Sequence, residues 1–166
     1  MDESDRNRLE KQQQAVLLAA ADMEEAAEAA KALMTTDEGP LAFALETGMV
    51  TAYARPFTAS DLRVPRGFDE LDYEPDRRLH EELMTLRDKV YAHTDDESGR
   101  EIANYNLTED AEAGTAEISY LIGRIPIDRE RLPLVIGLCE RQEDRFKRAA
   151  IRLHFMLTGE KPVEYW

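Results

Sequence analysis

Cysteine is almost absent from this sequence, because Cys139 is the only one among 166 residues. A single thiol cannot form a disulfide within the chain, so a small fold held by disulfides is excluded. Long apolar runs are also missing, since no stretch approaches the roughly 20 consecutive apolar residues that span a bilayer. The start, MDESDRNRLEKQQQ, has neither the basic nor the apolar region of a signal peptide. We expect a cytoplasmic protein that has no membrane partner.

Basic residues and aromatic residues are scarce as well. Lys and Arg number 21 against 35 Asp and Glu, which gives a formal net charge of −14. Non-specific binding to duplex DNA depends on many cations that neutralise phosphates, so we expect no duplex DNA partner. Aromatics make up 7% of the residues and charged residues 34%, a balance that favours helices with solvated outer faces. The length fits one domain, residues 1–166.

Helical periodicity is the strongest signal in the first half of the chain. Residues 5–34 predict one long helix, and its packing face comprises Val16, Ala20, Met23, Ala27, Ala30 and Met34. A second helix is predicted from Pro40 to about Arg55, after an N-cap at Thr36 or Asp37. One side of it comprises Leu41, Leu45, Met49, Ala52 and Tyr53. The third helix begins near Pro75 and carries the stripe Leu79, Leu83, Leu86, Val90 and His93.

The other segments complete the predicted fold. Residues 56–73 predict a long loop that carries Arg63 and Arg66, and the runs REIANYNL and TAEISYLIGRIPI favour two strands. Residues 129–158 return to helical spacing, with Pro133 in the first turn and Gly159 as the stop. The apolar side of this helix comprises Val135, Leu138, Cys139, Gln142, Phe146, Ala149, Leu153 and either Met156 or Leu157. We predict a mainly α fold, an antiparallel four- to five-helix bundle with a small β-hairpin inserted before the last helix.

Sequence motifs give no metal or cofactor site. HEELM, residues 80–84, begins like the zinc-protease pattern HExxH, but its last position is Met84, so the second imidazole ligand is missing. None of the three histidines belongs to a Glu-x-x-His motif, and the chain has no glycine-rich phosphate loop. We therefore expect no metal and no cofactor.

The stretch LRDKVYAHTDD, residues 86–96, holds the candidate catalytic residues Arg87, Asp88 and His93. An arginine fork can hold the charge of a pentavalent phosphate, and a histidine can accept or donate a proton at neutral pH. The carboxylate between them can orient either group. In RNA, the 2′-hydroxyl beside the phosphate is a built-in nucleophile, so these residues suit RNA cleavage without a metal. On a continuous helix, however, Arg87 and His93 lie about 120° apart around the axis and about 9 Å apart along it. They can share a phosphate only if the helix end unwinds or a second protomer supplies the partner.

The motif resembles the Arg-polar-x(n)-His motif of the HEPN superfamily, in which a polar residue directly follows the arginine near a helix end. Arg87, Asp88 and His93 match it residue by residue, whereas Arg148 and His154 have the same spacing but Ala149 breaks that match. The order of the helices also looks like the AbiU2-like and uncharacterised branch of that superfamily. The resemblance implies an all-helical homodimer in which two motifs meet, a metal-independent endoribonuclease acting on single-stranded RNA. Many members act in toxin–antitoxin or phage-defence systems.

Two other interpretations stay open. In one, the chain is a non-catalytic dimer whose acidic surface binds a partner protein or mimics nucleic acid, and the net charge of −14 favours it. In the other, the chain is a helical bundle without a relationship to HEPN proteins, and His93 completes the core stripe of the third helix at a helix end that favours an imidazolium.

Overall fold

The computed structural model describes residues 1–58, 64–65, 67–88, 101–110, 115–123 and 127–160. Within these ranges the chain forms four α-helices, α1 (Glu3–Thr35), α2 (Pro40–Ala54), α3 (Glu74–Leu86) and α4 (Leu132–Thr158). Short 3-10 turns follow α2 at Arg55–Phe57 and precede α4 at Arg129–Arg131. The mainly helical bundle that the periodicity predicts is confirmed.

The helix ends follow from local chemistry. The Asp2 carboxylate caps α1 by accepting a hydrogen bond from the Asp5 backbone N–H at 2.7 Å. The predicted side-chain cap of α2 at Thr36 or Asp37 is wrong, since Gly39 precedes Pro40 with a φ of 148° and no side-chain cap. Glycine alone adopts that φ without strain, so it provides the chain reversal. The predicted stop of α4 is confirmed, because Gly159 lies in the left-handed region at a φ of 72°.

The core lies where α1 packs along α4, with α2 and α3 alongside. The buried face of α1 is rich in alanine, which lets a neighbouring helix approach closely, and it includes Ala15, Ala19, Ala20, Ala26, Ala27 and Ala30. Larger side chains fill the centre, and the fully buried ones include Tyr53, Phe146, Met23, Met49, Leu83, Leu132 and Leu138. The predicted packing faces of α1, α2 and α4 are confirmed at most of their positions.

Two predicted core residues of α1 and α2 are exposed. Met34 retains 47% of its accessible surface and Leu41 retains 64%, whereas Leu33 is buried. Both exposed residues border the turn between α1 and α2 at one end of the bundle. A side chain there has fewer neighbours than one in the middle of a helix, even when the periodicity places it on the packing face.

Two strands lie between α3 and α4 in the sequence. β1 (Glu101–Asp110) and β2 (Thr115–Gly123) pair antiparallel, with Glu101 opposite Gly123 and Asp110 opposite Thr115. The register shifts by one residue between Ile102 and Asn104, and such a shift locally increases the twist of the ribbon.

Two bidentate ion pairs fasten α3 to the α4 side of the bundle. The Arg131 guanidinium donates to both carboxylate oxygens of Glu82 at 2.5 Å. The Arg141 guanidinium donates to both oxygens of Asp76 at 2.8 and 2.5 Å. Paired forks of this kind fix direction as well as distance, so α3 is held at two points six residues apart.

Polar side chains are also buried in the bundle. The Glu46 carboxylate is 5% exposed and accepts a hydrogen bond from the Ile127 N–H at 2.7 Å. Gln142, on the buried face of α4, is 2% exposed, and neither polar atom of its amide has a hydrogen-bond partner among the described residues. The buried carboxylate of Glu46 therefore has a hydrogen-bond partner, whereas the buried amide of Gln142 has none among the described residues.

Candidate functional site

Arg87 and Asp88 directly follow α3, where the helical turn widens to a π conformation. The Arg87 Nη1 donates to the Asp88 Oδ1 at 2.5 Å. The Arg87 side chain is 34% exposed and that of Asp88 is 54% exposed. The two motif residues thus form a pair that solvent reaches, and π turns often occur at functional sites.

His93 lies outside the described residues, as do Arg63, Arg66 and Val90. α3 ends at Leu86, and the described part of this segment ends at Asp88, so the angle between positions 87 and 93 lies outside the described residues. The meeting of Arg87 with a histidine, within one chain or between two, stays a prediction.

The ion pair between Arg131 and Glu82 lies close in sequence to Arg87. Glu82 precedes Arg87 by five residues on the same helix, and Arg131 lies directly before α4. The second pair, Arg141 with Asp76, holds the beginning of α3. The end of α3 is therefore attached to the most extensively packed part of the bundle, although the two motif residues themselves make no ion pair with another described element.

A second histidine, His80, lies in the core instead of in a site. It is 8% exposed, its Nδ1 lies 2.9 Å from the Tyr53 hydroxyl oxygen, and its ring packs edge-on against Phe57 at 4.8 Å between centroids. Burial lowers the pKa of the imidazole, with Asp69 and Glu81 partly opposing. In the sequence, His80 stands out only as the first residue of the incomplete zinc motif HEELM. Its position between Leu79 and Leu83 on the buried stripe was the signal for a core residue.

The segment before α3 is held by Arg145 of α4. Its guanidinium donates to the backbone carbonyls of Gly67, Phe68 and Glu70 at 2.8 to 3.3 Å. The same group lies 5.0 Å from the centroid of the Phe68 ring, which stacks on Phe146 at 4.9 Å between centroids. This arginine organises a loop through neutral acceptors and has no carboxylate partner among the described residues.

Nucleophile and metal chemistry find little support among the described side chains. Burial raises the pKa of the Cys139 thiol to about 12, so this cysteine is not a thiolate at neutral pH. No group of three or more His, Cys, Asp or Glu in the described part of the chain is arranged to hold a metal ion. Arg87 and Asp88 remain the described residues that suit the predicted chemistry.

Comparison with protein-family models, curated proteins and solved structures found no match to this chain. Among the helices described, none combines the length and apolar character needed to cross a membrane.

Proposed function

We propose that the chain is a HEPN-like homodimeric endoribonuclease that cleaves single-stranded RNA without a metal, in the cytoplasm, within a toxin–antitoxin or phage-defence system. The observation that carries the proposal is the pair formed by Arg87 and Asp88, whose atoms lie 2.5 Å apart. Both side chains face solvent in part and neither binds another described element. In this proposal the strands β1 and β2 form a hairpin inserted before the last helix.

The proposed roles follow from charge and acidity. His93 accepts the proton of the 2′-hydroxyl, whose oxygen attacks the neighbouring phosphorus while the bond from phosphorus to the 5′-oxygen breaks. The His93 imidazolium gives a proton to the leaving 5′-oxygen, and the products are a 2′,3′-cyclic phosphate and a 5′-hydroxyl. Arg87 stabilises the charge that develops on the phosphoryl oxygens, and Asp88, already bonded to Arg87, orients the guanidinium.

Cleavage by purified protein tests the proposal directly. Full-length protein and its His93→Ala variant are incubated with single-stranded RNA in the presence of a chelator. We expect His93→Ala to lower the cleavage rate by about 100-fold or more, since general acid–base catalysis contributes at least that much. His154→Ala is the matched control and should leave the rate unchanged. Equal cleavage by the wild type and His93→Ala, or no cleavage by either, contradicts the proposal.

Mixing two inactive variants tests the dimer. Chains carrying Arg87→Ala are co-expressed with differently tagged chains carrying His93→Ala, and the mixed dimers are purified through both tags. If each site combines Arg87 of one protomer with His93 of the other, one of the two sites in a mixed dimer is intact, so about half of the wild-type activity returns. Failure of the tags to co-purify contradicts the homodimer, and inactive mixed dimers contradict the shared site.

A second candidate function is that of a non-catalytic acidic dimer that binds a partner protein. It is favoured by the 35 acidic residues against 21 basic ones and by exposed carboxylates along α1, such as Glu24, Glu25 and Glu28. A specific partner that binds the wild type and His93→Ala equally, with no RNA cleavage, supports this candidate. Loss of binding on replacement of those three glutamates by glutamine would locate the interface, and unchanged binding would exclude this face of α1.

A further inference from the structure

Four arginines lie on one stripe of α4: Arg141, Arg145, Arg148 and Arg152. Their spacings of four, three and four residues keep them within about 60° around the helix. Along this stripe the partners change. Arg141 binds the Asp76 carboxylate, Arg145 binds backbone carbonyls, and beyond these contacts the stripe continues past the beginning of α3. At the end of the stripe, Arg148 binds only Asp144 of the same helix, and Arg152 binds no described residue.

An open depression of about 380 Å³ lies at that end, lined by Asp144, Arg145, Arg148 and Arg152. We call it the arginine depression. Asp144 is its one carboxylate and forms an ion pair with Arg148. Arg145 donates only to carbonyls, and Arg152 is exposed and has no partner among the described residues. Three guanidinium groups thus share one carboxylate.

Most of the arginines that the structure describes have a carboxylate partner, as expected where carboxylates are in excess. Arg55 pairs with Asp22 of α1, and Arg6 pairs with Glu10 one turn away. Two arginines without a carboxylate partner in one depression give it a local net charge of about +2. At physiological salt the Debye length is about 8 Å, so carboxylates that lie farther from the depression than this are largely screened.

We propose that the arginine depression is a binding site for a phosphate group. Arg145 is held in place by three carbonyls and the Phe68 ring, so its charge has a fixed position. The Arg148 side chain is 70% exposed, and together with Arg152 it can turn donor forks toward a ligand. A phosphate has several acceptor oxygens, which match guanidinium donors. The site does not depend on ribonuclease activity, because Arg148 lies roughly 24 Å along α4 from the start of that helix, where Arg131 binds Glu82.

A phosphate can come from free phosphate or from an RNA backbone, and binding experiments distinguish these sources. The probes are inorganic phosphate and a fluorescent single-stranded oligoribonucleotide whose 2′-oxygens are methylated, so that it binds but cannot be cleaved. The test variant is Arg148→Gln with Arg152→Gln. The matched control is Arg6→Gln with Arg8→Gln, which removes the same charge at side chains of similar exposure, 65% and 67%.

We expect the test variant to bind the oligonucleotide at least about tenfold more weakly. The slope of log K against log salt should fall by about 1.4, or 0.7 for each lost phosphate contact. The control should change neither value. Inorganic phosphate that binds only when Arg148 and Arg152 are present, without oligonucleotide binding, assigns the site to free phosphate.

Three results overturn the proposal. The first is that the test and control variants lose the same amount of oligonucleotide affinity, which would show that only the total charge of the protein matters. The second is binding of neither probe by the wild type. The third is tight binding of a glutamate-rich peptide at Arg148 and Arg152 that phosphate does not displace, which would make the ligand an acidic protein.

Discussion

The two arginines that join α3 to α4, Arg131 and Arg141, differ in their binding partners from Arg87 and Arg152. Arg131 and Arg141 each bind both oxygens of a carboxylate that is 49 or 65 residues away in the sequence. Arg87 binds only its sequence neighbour, and Arg152 binds no described residue. The first pair of arginines is used by the fold, whereas the second pair is available to a ligand.

The partner of an arginine therefore indicates whether that arginine contributes mainly to stability or to function. A guanidinium held by a carboxylate on another helix contributes to the folded state, and its removal leaves a partly buried carboxylate unpaired. A guanidinium that has only a local partner in solvent contributes little to stability. The comparison therefore predicts which arginine substitutions unfold the protein and which abolish binding or activity.

The largest expected effect is on cleavage. Arg87→Ala should lower the rate of RNA cleavage by about 100-fold or more, because it removes a donor to the developing phosphoryl charge. Its free energy of unfolding should stay within about 0.5 kcal/mol of the wild type, as for other surface substitutions. Cleavage assays and urea denaturation measure the two effects. A large loss of stability without a change in cleavage would place Arg87 with the arginines that the fold uses.

The opposite pattern is expected for Arg141. Arg141→Ala should lower the free energy of unfolding by about 2 kcal/mol, because Asp76 is 8% exposed and loses both of its hydrogen bonds to the guanidinium. Arg78→Ala, at a 76% exposed side chain on α3, is the control and should cost less than about 0.5 kcal/mol. Similar losses in urea denaturation for both variants would remove the distinction between the two classes.

An intermediate effect is expected at Arg145, whose acceptors are neutral. Arg145→Lys retains the charge but loses the planar fork, so the free energy of unfolding should fall by about 1 kcal/mol. Hydrogen exchange should also become faster in residues 67–70, the segment that the guanidinium binds. Arg148→Lys is the control, and neither quantity should change there. Unchanged exchange in Arg145→Lys would show that Phe68 packing alone holds the segment.

A smaller effect is expected from His80. Its pKa is lowered in the folded state by burial, so the unfolded chain binds the proton first as pH falls. The contribution of His80 to stability is complete above its unfolded pKa of about 6.5 and declines as pH falls from there toward the folded pKa. Between pH 7 and 5 the free energy of unfolding should decrease less in His80→Gln than in the wild type. His154→Gln, at an exposed position, should follow the wild type.

Local features of this fold could be predicted from the sequence. The period of apolar residues located α1, α2 and α4 to within a few residues, and Pro133 and Gly159 marked the ends of α4. These signals depend on neighbours within a turn or two. The exposure of Met34 and Leu41 depends on where the other helices end, and periodicity contains no information about that.

Long-range pairs could not be predicted. The Arg141–Asp76 pair, the Tyr53–His80 hydrogen bond and the contacts of Arg145 each join residues that are 27 to 78 positions apart. In a chain with 56 acidic and basic residues in total, composition allows many such pairings and selects none. For the candidate site, the adjacency of Arg87 and Asp88 was visible in the sequence, whereas their accessibility depended on what the rest of the bundle leaves uncovered.

The buried amide of Gln142 implies that the bundle is less stable than its fold permits. Desolvating an amide without a hydrogen bond costs about 1 to 3 kcal/mol, and the side chain is 2% exposed with both polar atoms unpaired among the described residues. Gln142→Leu, close in size, should therefore raise the melting temperature. A lower melting temperature would mean that the amide contributes to the native state. Gln142 marks a route by which a thermostable form of this protein can be engineered without changing any arginine.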